Sequence, residues 1–113
     1  MTCELWQVVV VPFPFTDRAT TKRRPALVLS AKAFNRNGHS VLAMITSASH
    51  RPWPGDTPIS DLKNAGLKTP SLVRLKLFTL DNRFIARRIG TLGSPDQASV
   101  TTQLRTFVPV LAE

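Results

Sequence analysis

Carboxylates are scarce in this chain, and they are missing altogether where the cations are densest. Seven Asp plus Glu stand against 15 Lys plus Arg, a formal charge of +8. From Arg18 to Arg51 there are seven basic residues and no acidic one, the nearest being Asp17 and Asp56. Such a bias marks either a solvated basic face or a surface for polyanions, with nucleic acid or an acidic protein segment as the natural partner. Cysteine is nearly absent too: Cys3 is the only one. That excludes an internal disulfide and a Cys-based metal site, and a terminal thiol with no basic neighbour in sequence is expected to be inert. No apolar run approaches the roughly 18 residues of a membrane span. Met1-Thr2-Cys3-Glu4 carries no cationic region ahead of an apolar segment, so no secretory signal is expected. These absences predict a reduced, cytoplasmic setting without membrane association.

Several kinds of catalytic machinery are missing as well. No His/Cys or paired-carboxylate cluster has metal-ligand spacing, so neither a metal nor a cofactor is expected. There is no Gly-rich phosphate loop and no Ser/His/Asp constellation in a recognisable context. The two histidines, His39 and His50, invite comparison with a two-histidine ribonuclease. His39, in Asn37-Gly38-His39-Ser40, reads as an exposed turn residue. His50, four residues after Thr46, is a candidate to line an RNA groove.

What is present is enough for one domain, 1–113, with an apolar fraction of 42%. The first two-thirds read as strands. Gln7 to Val11 is a β-branched run, and Pro12 and Pro14 after it imply an edge or a bulge. A polar loop from Thr16 to Arg23 precedes a strand from Ala26 to Leu29. Val41 to Ile45 and a short Asp56 to Ile59 follow. Ser71 to Leu80 alternates, with Val73, Leu75 and Leu77 predicted inward and Arg74 and Lys76 outward. A last strand, Phe84 to Leu92, contains Arg87 and Arg88, which the pleat must send to opposite faces. Ser94-Pro95-Asp96-Gln97 predicts a helix start with Ser94 as cap, and Val100, Leu104, Phe107 and Val108 give that helix an apolar face. The predicted architecture is mainly β, a small bent antiparallel sheet or barrel closed by a C-terminal α-helix.

Two stretches carry candidate chemistry. Lys22-Arg23-Arg24-Pro25 packs three cations against a proline and runs into Ala26-Leu27-Val28-Leu29, placing an always-charged guanidinium on a rigid element where it can address a phosphate. The loop His50-Arg51-Pro52-Trp53-Pro54-Gly55-Asp56 holds Trp53 between two prolines, stiff enough for a base-stacking platform or else for a core residue. Of Phe13 and Phe15, on either side of Pro14, one is expected inside and the other near a groove or dimer seam.

The segment from Val8 to Asp17, then Lys22-Arg23-Arg24-Pro25-Ala26-Leu27-Val28-Leu29-Ser30, Ile45-Thr46-Ser47, Ala65-Gly66-Leu67 with Pro70-Ser71 and Val73-Arg74, and the closing Arg87-Arg88-Ile89-Gly90-Thr91-Leu92 together resemble the MazF/PemK toxins of bacterial type II toxin-antitoxin systems. The likeness runs from about Gln7 to Val108. It implies an SH3-like small barrel of the CcdB/MazF type, a homodimer, and metal-independent, sequence-specific cleavage of single-stranded RNA. That cleavage proceeds by 2′-hydroxyl attack and leaves 2′,3′-cyclic phosphate and 5′-hydroxyl ends. By position, Arg24 and Thr46 match the catalytic pair of such enzymes. Lys22, Arg23, Ser47, His50, Arg51 and Trp53 are the accompanying RNA-binding candidates. A cognate acidic antitoxin is the implied protein partner.

In-line attack concentrates negative charge on the phosphoryl oxygens, so a fixed guanidinium and a hydroxyl suit that transition state. Arginine is a poor proton acceptor near neutral pH, which makes its role electrostatic and leaves the general base open. One departure is plain: where these toxins commonly start the first strand with Gly and an acidic residue, this chain has Trp6-Gln7. Two other functions share the resemblance in fold, a CcdB-like gyrase poison without nuclease chemistry and a catalytically silent RNA- or antitoxin-binding module.

Overall fold

A computed structural model describes residues 1–13 and 22–111. Pro14, Phe15 and most of the loop expected from Thr16 lie outside the described residues. Six strands, β1 (Gln7–Phe13), β2 (Lys22–Val28), β3 (His39–Ser47), β4 (Thr57–Pro58), β5 (Ser71–Asp81) and β6 (Arg87–Thr91), form one curled antiparallel sheet, a half-barrel, in the order β4-β5-β3-β2-β1-β6. Among the described residues three α-helices accompany it: α1 (Lys32–Asn35), α2 (Leu62–Ala65) and α3 (Ser94–Phe107).

The unbroken Val8-Val9-Val10-Val11 run is a consequence of burial on both faces. Val8 packs with Leu27, Ala43, Ile45, Val73, Leu92 and Val100, the core beneath α3. Val9 and Val11 pack with Cys3, Ala26, Val28, Leu42 and Ile85 on the other side. A strand with apolar material on both sides shows a continuous run instead of alternation.

β2 begins at Lys22, four residues before the expected Ala26, because Lys22, Arg23 and Arg24 pair with Phe13, Pro12 and Val11 of β1. The basic cluster is therefore strand, not loop. β1 is an interior strand as far as Val10, with a bulge in its β6 ladder between Val8 and Val9, and has a free edge on that side from there on, where its prolines stand. Its ladder with β6 ends at Val10–Arg87, so Pro12, whose missing N–H would point to that side, costs no sheet hydrogen bond.

β5 keeps neither an unbroken alternation nor the expected burial. Leu77 is 39% exposed and Arg74 only 9% exposed. The β3–β5 register jumps from Ala43–Leu77 to Met44–Arg74, a bulge that takes Leu75 and Lys76 out of the ladder. The last strand is shorter than expected, since Asn82–Phe84 is a 3₁₀ turn. Arg87 opposite Val10 and Arg88 opposite Val9 do point to opposite faces of the edge strand β6.

Helix α3 starts at Ser94 with Gly93 as its cap, so Ser94 is not the capping residue and Gln97 does not complete a capping box. Gln97 Nε2 instead donates to the Leu92 carbonyl at 2.7 Å. Val100 is buried and Leu104 packs on the core, whereas Phe107 is 52% exposed. The helix is anchored by Asp96, whose carboxylate accepts from the Ser60 and Asp61 N–H groups and the Ser60 hydroxyl at 2.8–3.1 Å. The short α1 and α2, absent from the sequence-based expectation, are single turns with too few residues to show a helical period.

Helix α2 lies directly on β6. Gly66, at φ +76°, ends it, and a Cβ there would meet the Ile89 carbonyl oxygen at 2.1 Å; one on Gly90 would meet Ala65 at 2.4 Å. Trp6 also takes a left-handed conformation, φ +74°. It is held by its N–H to the Val28 carbonyl and by its own carbonyl to the Leu92 N–H, both 2.9 Å.

Burial alone would raise the Asp96 carboxyl, but its three donor groups outweigh that and hold it below the ordinary carboxylate range. The stabilisation is thus present above the unfolded-state pKa and is lost as pH falls through the depressed native value. Asp96→Asn is expected to cost about 2 kcal/mol at neutral pH. Urea midpoints measured from neutral to acid should show the gap from the parent closing in acid.

Candidate functional site

Pro25 shapes the basic segment. The Leu29 N–H donates to Val41 of β3 while the Val28 carbonyl accepts from Trp6 beside β1. In an antiparallel strand these directions alternate, so Pro25, like Leu29, turns its backbone toward β3. With no N–H to give, it cannot extend that ladder. The β2–β3 pairing accordingly stops at Ala26–Met44.

Continuing the same register two residues onward sets Arg24 against Thr46, past the last paired position. Both share the sheet face of Ala26, Met44 and Leu42. Arg24 is half-buried and Thr46 is 6% exposed. The Thr46 hydroxyl lies 2.7 Å from Nδ1 of His50, an exposed residue on the turn just after β3. Lys22, two residues before Arg24, is on the same face and exposed.

Two of the expected binding residues point elsewhere. Arg23 and Ser47 fall on the opposite face of the sheet, and the Ser47 hydroxyl engages that of Ser49 at 2.9 Å. Arg51 is exposed, and its carbonyl accepts from Arg74 Nη2 at 2.7 Å.

Arg74 is the residue that the sequence reading left out. It faces the same side as Met44 and Thr46, and its guanidinium makes a two-pronged pair with Asp56, Nε to Oδ1 at 3.1 Å and Nη2 to Oδ2 at 3.0 Å. The hydrogen bond to Asp56 holds it still more firmly protonated, against the opposing effect of its burial. Trp53 is 41% exposed and therefore no core residue. Its ring takes Arg74 Cζ at 5.6 Å and Lys76 Nζ at 4.7 Å, and its backbone N–H donates to Asp56 Oδ2 at 2.9 Å. Arg74, Asp56, Trp53 and Lys76 thus form one rigid cationic-aromatic unit beside Thr46. The available signal was Asp56 itself, the first carboxylate after the long basic stretch.

A second cationic feature is a cleft of about 400 Å³ lined by Arg23, Arg24, Lys68 and Arg87 around Val10, Leu67 and Ile89. Among the described residues no group of three or more His, Cys, Asp or Glu is placed to hold a metal. Cys3 is buried, and burial pushes its thiol up.

This architecture has known counterparts. The family described as "PemK-like, MazF-like toxin of type II toxin-antitoxin system" matches residues 4–108. The chain belongs to that family. Among solved structures, the MazE–MazF complex of Deinococcus radiodurans aligns with a TM-score of 0.76 at 22% identity, covering 96% of this chain and 98% of the other. The Mycobacterium tuberculosis toxin MazF-mt6 gives 0.71 at 22% identity over 88% and 93%. An endoribonuclease in complex with its cognate antitoxin, from a Mycobacterial species, gives 0.74 at 18% identity over 98% and 99%. No curated protein matches by sequence. The structural likenesses establish the MazF-like fold, and the family match makes this a MazF/PemK-type toxin of a toxin-antitoxin system.

The Arg74–Asp56 pair is nearly closed to solvent, with side chains 10% and 14% exposed. Removing one partner leaves an uncompensated charge, so Asp56→Ala should cost about 3 kcal/mol in thermal or urea unfolding. The double variant Asp56→Leu/Arg74→Met should recover most of that loss.

Proposed function

We propose that this toxin is a metal-independent endoribonuclease acting on single-stranded RNA. The observation that carries the reading is the end of the β2–β3 ladder at Ala26–Met44, beyond which Arg24 and Thr46, each two residues further on, lie on the face of that pair. Arg24 supplies a fixed positive charge and a forked donor to the phosphoryl oxygens. Thr46 supplies a short hydroxyl donor. The 2′-oxygen attacks the adjacent phosphorus and the 5′-oxygen leaves, giving a 2′,3′-cyclic phosphate and a 5′-hydroxyl. Lys22, Arg51 and Lys76 attract the strand, and the exposed Trp53 ring, backed by Arg74, offers a face on which a base can stack. Arg23, turned to the other face, contributes to the field and not to the reacting phosphate.

The family match and a neighbour named as an endoribonuclease support this reading. The gyrase-poison and silent-binder alternatives have no use for a hydroxyl and a guanidinium at an open seam. We further propose a homodimer in a cytoplasmic setting, with an acidic antitoxin segment competing with RNA for the same cations. Exposed Phe34, Leu77 and Phe84 supply apolar surface for association, and neighbours solved with antitoxins support the protein partner. Among the described residues no helix is long and apolar enough to cross a membrane.

Purified toxin should cut a long, defined RNA at specific sites in EDTA, and Arg24→Ala or Thr46→Ala should lower the rate at least about 10²-fold. RNA affinity should fall steeply with added salt. Intact RNA, or gyrase-dependent DNA breaks in its place, would sink the nuclease reading.

A further inference from the structure

Resting on that reading, we infer that His50 is the general base, its imidazole fixed by Thr46 so that Nε2 faces the attacking 2′-hydroxyl. The Thr46–His50 hydrogen bond joins a nearly buried hydroxyl to an exposed ring at 2.7 Å. The exposed partner meets the solvent side of the seam, and the buried one holds it there. His50 is also tied at its backbone, its N–H donating to the Ser47 carbonyl at 3.2 Å. Among the described residues, Nε2 has no hydrogen-bond partner.

One tautomer satisfies every demand on this pair. With the proton on Nδ1, the ring donates to Thr46 Oγ1, leaving the Thr46 hydroxyl hydrogen free for a phosphoryl oxygen and Nε2 with a lone pair for the 2′-hydroxyl. A base whose other nitrogen is held by a third group is the recurrent arrangement for activating a hydroxyl. In the step itself, the 2′-hydroxyl proton passes to Nε2 as the 2′-oxygen–phosphorus bond forms. The phosphorus–5′-oxygen bond breaks on the opposite side, and water protonates the departing 5′-oxygen. The resulting imidazolium keeps its Nδ1–H bond to Thr46 and then releases the Nε2 proton to solvent. Arg24 remains charged throughout, as an arginine must.

The charged groups on the same loop and on the neighbouring strands come from several elements. Arg51 is its neighbour on the loop, Arg24 is on β2, and Arg74 and Lys76 are on β5. Asp56, the carboxylate among them, is already committed to Arg74. His39, the other imidazole, is exposed at the far end of β3.

The test is the pH dependence of RNA cleavage in EDTA, with binding read separately on a 2′-O-methyl copy of the same RNA. The parent rate should rise with pH to a plateau, as a general base requires. His50→Gln should lower the rate by about 10²- to 10⁴-fold, abolish that inflection and weaken binding of the 2′-O-methyl RNA far less than it lowers the rate. Added imidazole should restore part of the rate to His50→Ala. Thr46→Val should slow cleavage while keeping the inflection, and His39→Gln should alter neither. A His50→Gln protein that cleaves at the parent rate with the parent pH profile, or that loses binding in proportion to rate, overturns the assignment of His50 and leaves the Arg24/Thr46 nuclease intact. No cleavage by the parent protein overturns both.

Discussion

A missing hydrogen is the constraint on which the site depends. Every interior strand position in a sheet is expected to satisfy its neighbours, and Pro25 cannot donate toward β3. The ladder therefore closes at Ala26–Met44, and the strand ends beyond it are free to present side chains instead of backbone. Arg24 and Thr46 lie just beyond its end, on the face of Ala26 and Met44. The segment is nevertheless not loose, because the other edge of β2 stays in register with β1 as far as Lys22–Phe13. Rigidity from one neighbour and an opening toward the other are what a charged group needs if it is to address a single phosphate.

The rest of the fold holds that seam in place. Apolar clusters on both faces of the sheet clamp β1 and β2, and the pleat then separates Arg24 from Arg23 by sending them to opposite faces. Helix α3 is fixed through Asp96 to the Ser60–Asp61 turn. Helix α2 is fixed by the close approach of Gly66 and Gly90 to each other's elements. Trp6 reaches a backbone conformation that glycine adopts freely and that costs a tryptophan about 1 kcal/mol or more. Two backbone hydrogen bonds and packing on the core beneath α3 maintain it.

Beside the seam, burial gives Arg74 a different character from the other arginines on this face. Its bond to Asp56 and its place beneath Trp53 make it a fixed support for an exposed aromatic ring, while Lys22 and Arg51 remain in solvent. A cationic surface thereby acquires a defined stacking plane and a defined direction relative to Thr46.

Composition and pattern by themselves determined the polyanion-seeking charge, the mainly β fold with its terminal helix, and the family, because charge, β-branched runs and turn residues act locally and are legible one segment at a time. The Arg24/Thr46 pair was legible only as a resemblance. Tertiary structure decided which cations share a face, since β2 began at Lys22 and put Arg23 on the wrong side for Thr46. It buried Arg74, which alternation alone had marked as solvent-facing, because its partner Asp56 lies 18 residues away in the chain and across a loop. It also joined His50 to Thr46, a contact that depends on how the chain turns after β3. The physical reason is common to all three. Period and propensity describe a residue's relation to its sequence neighbours, whereas burial, pairing and aim are set by groups that only the closed sheet brings together.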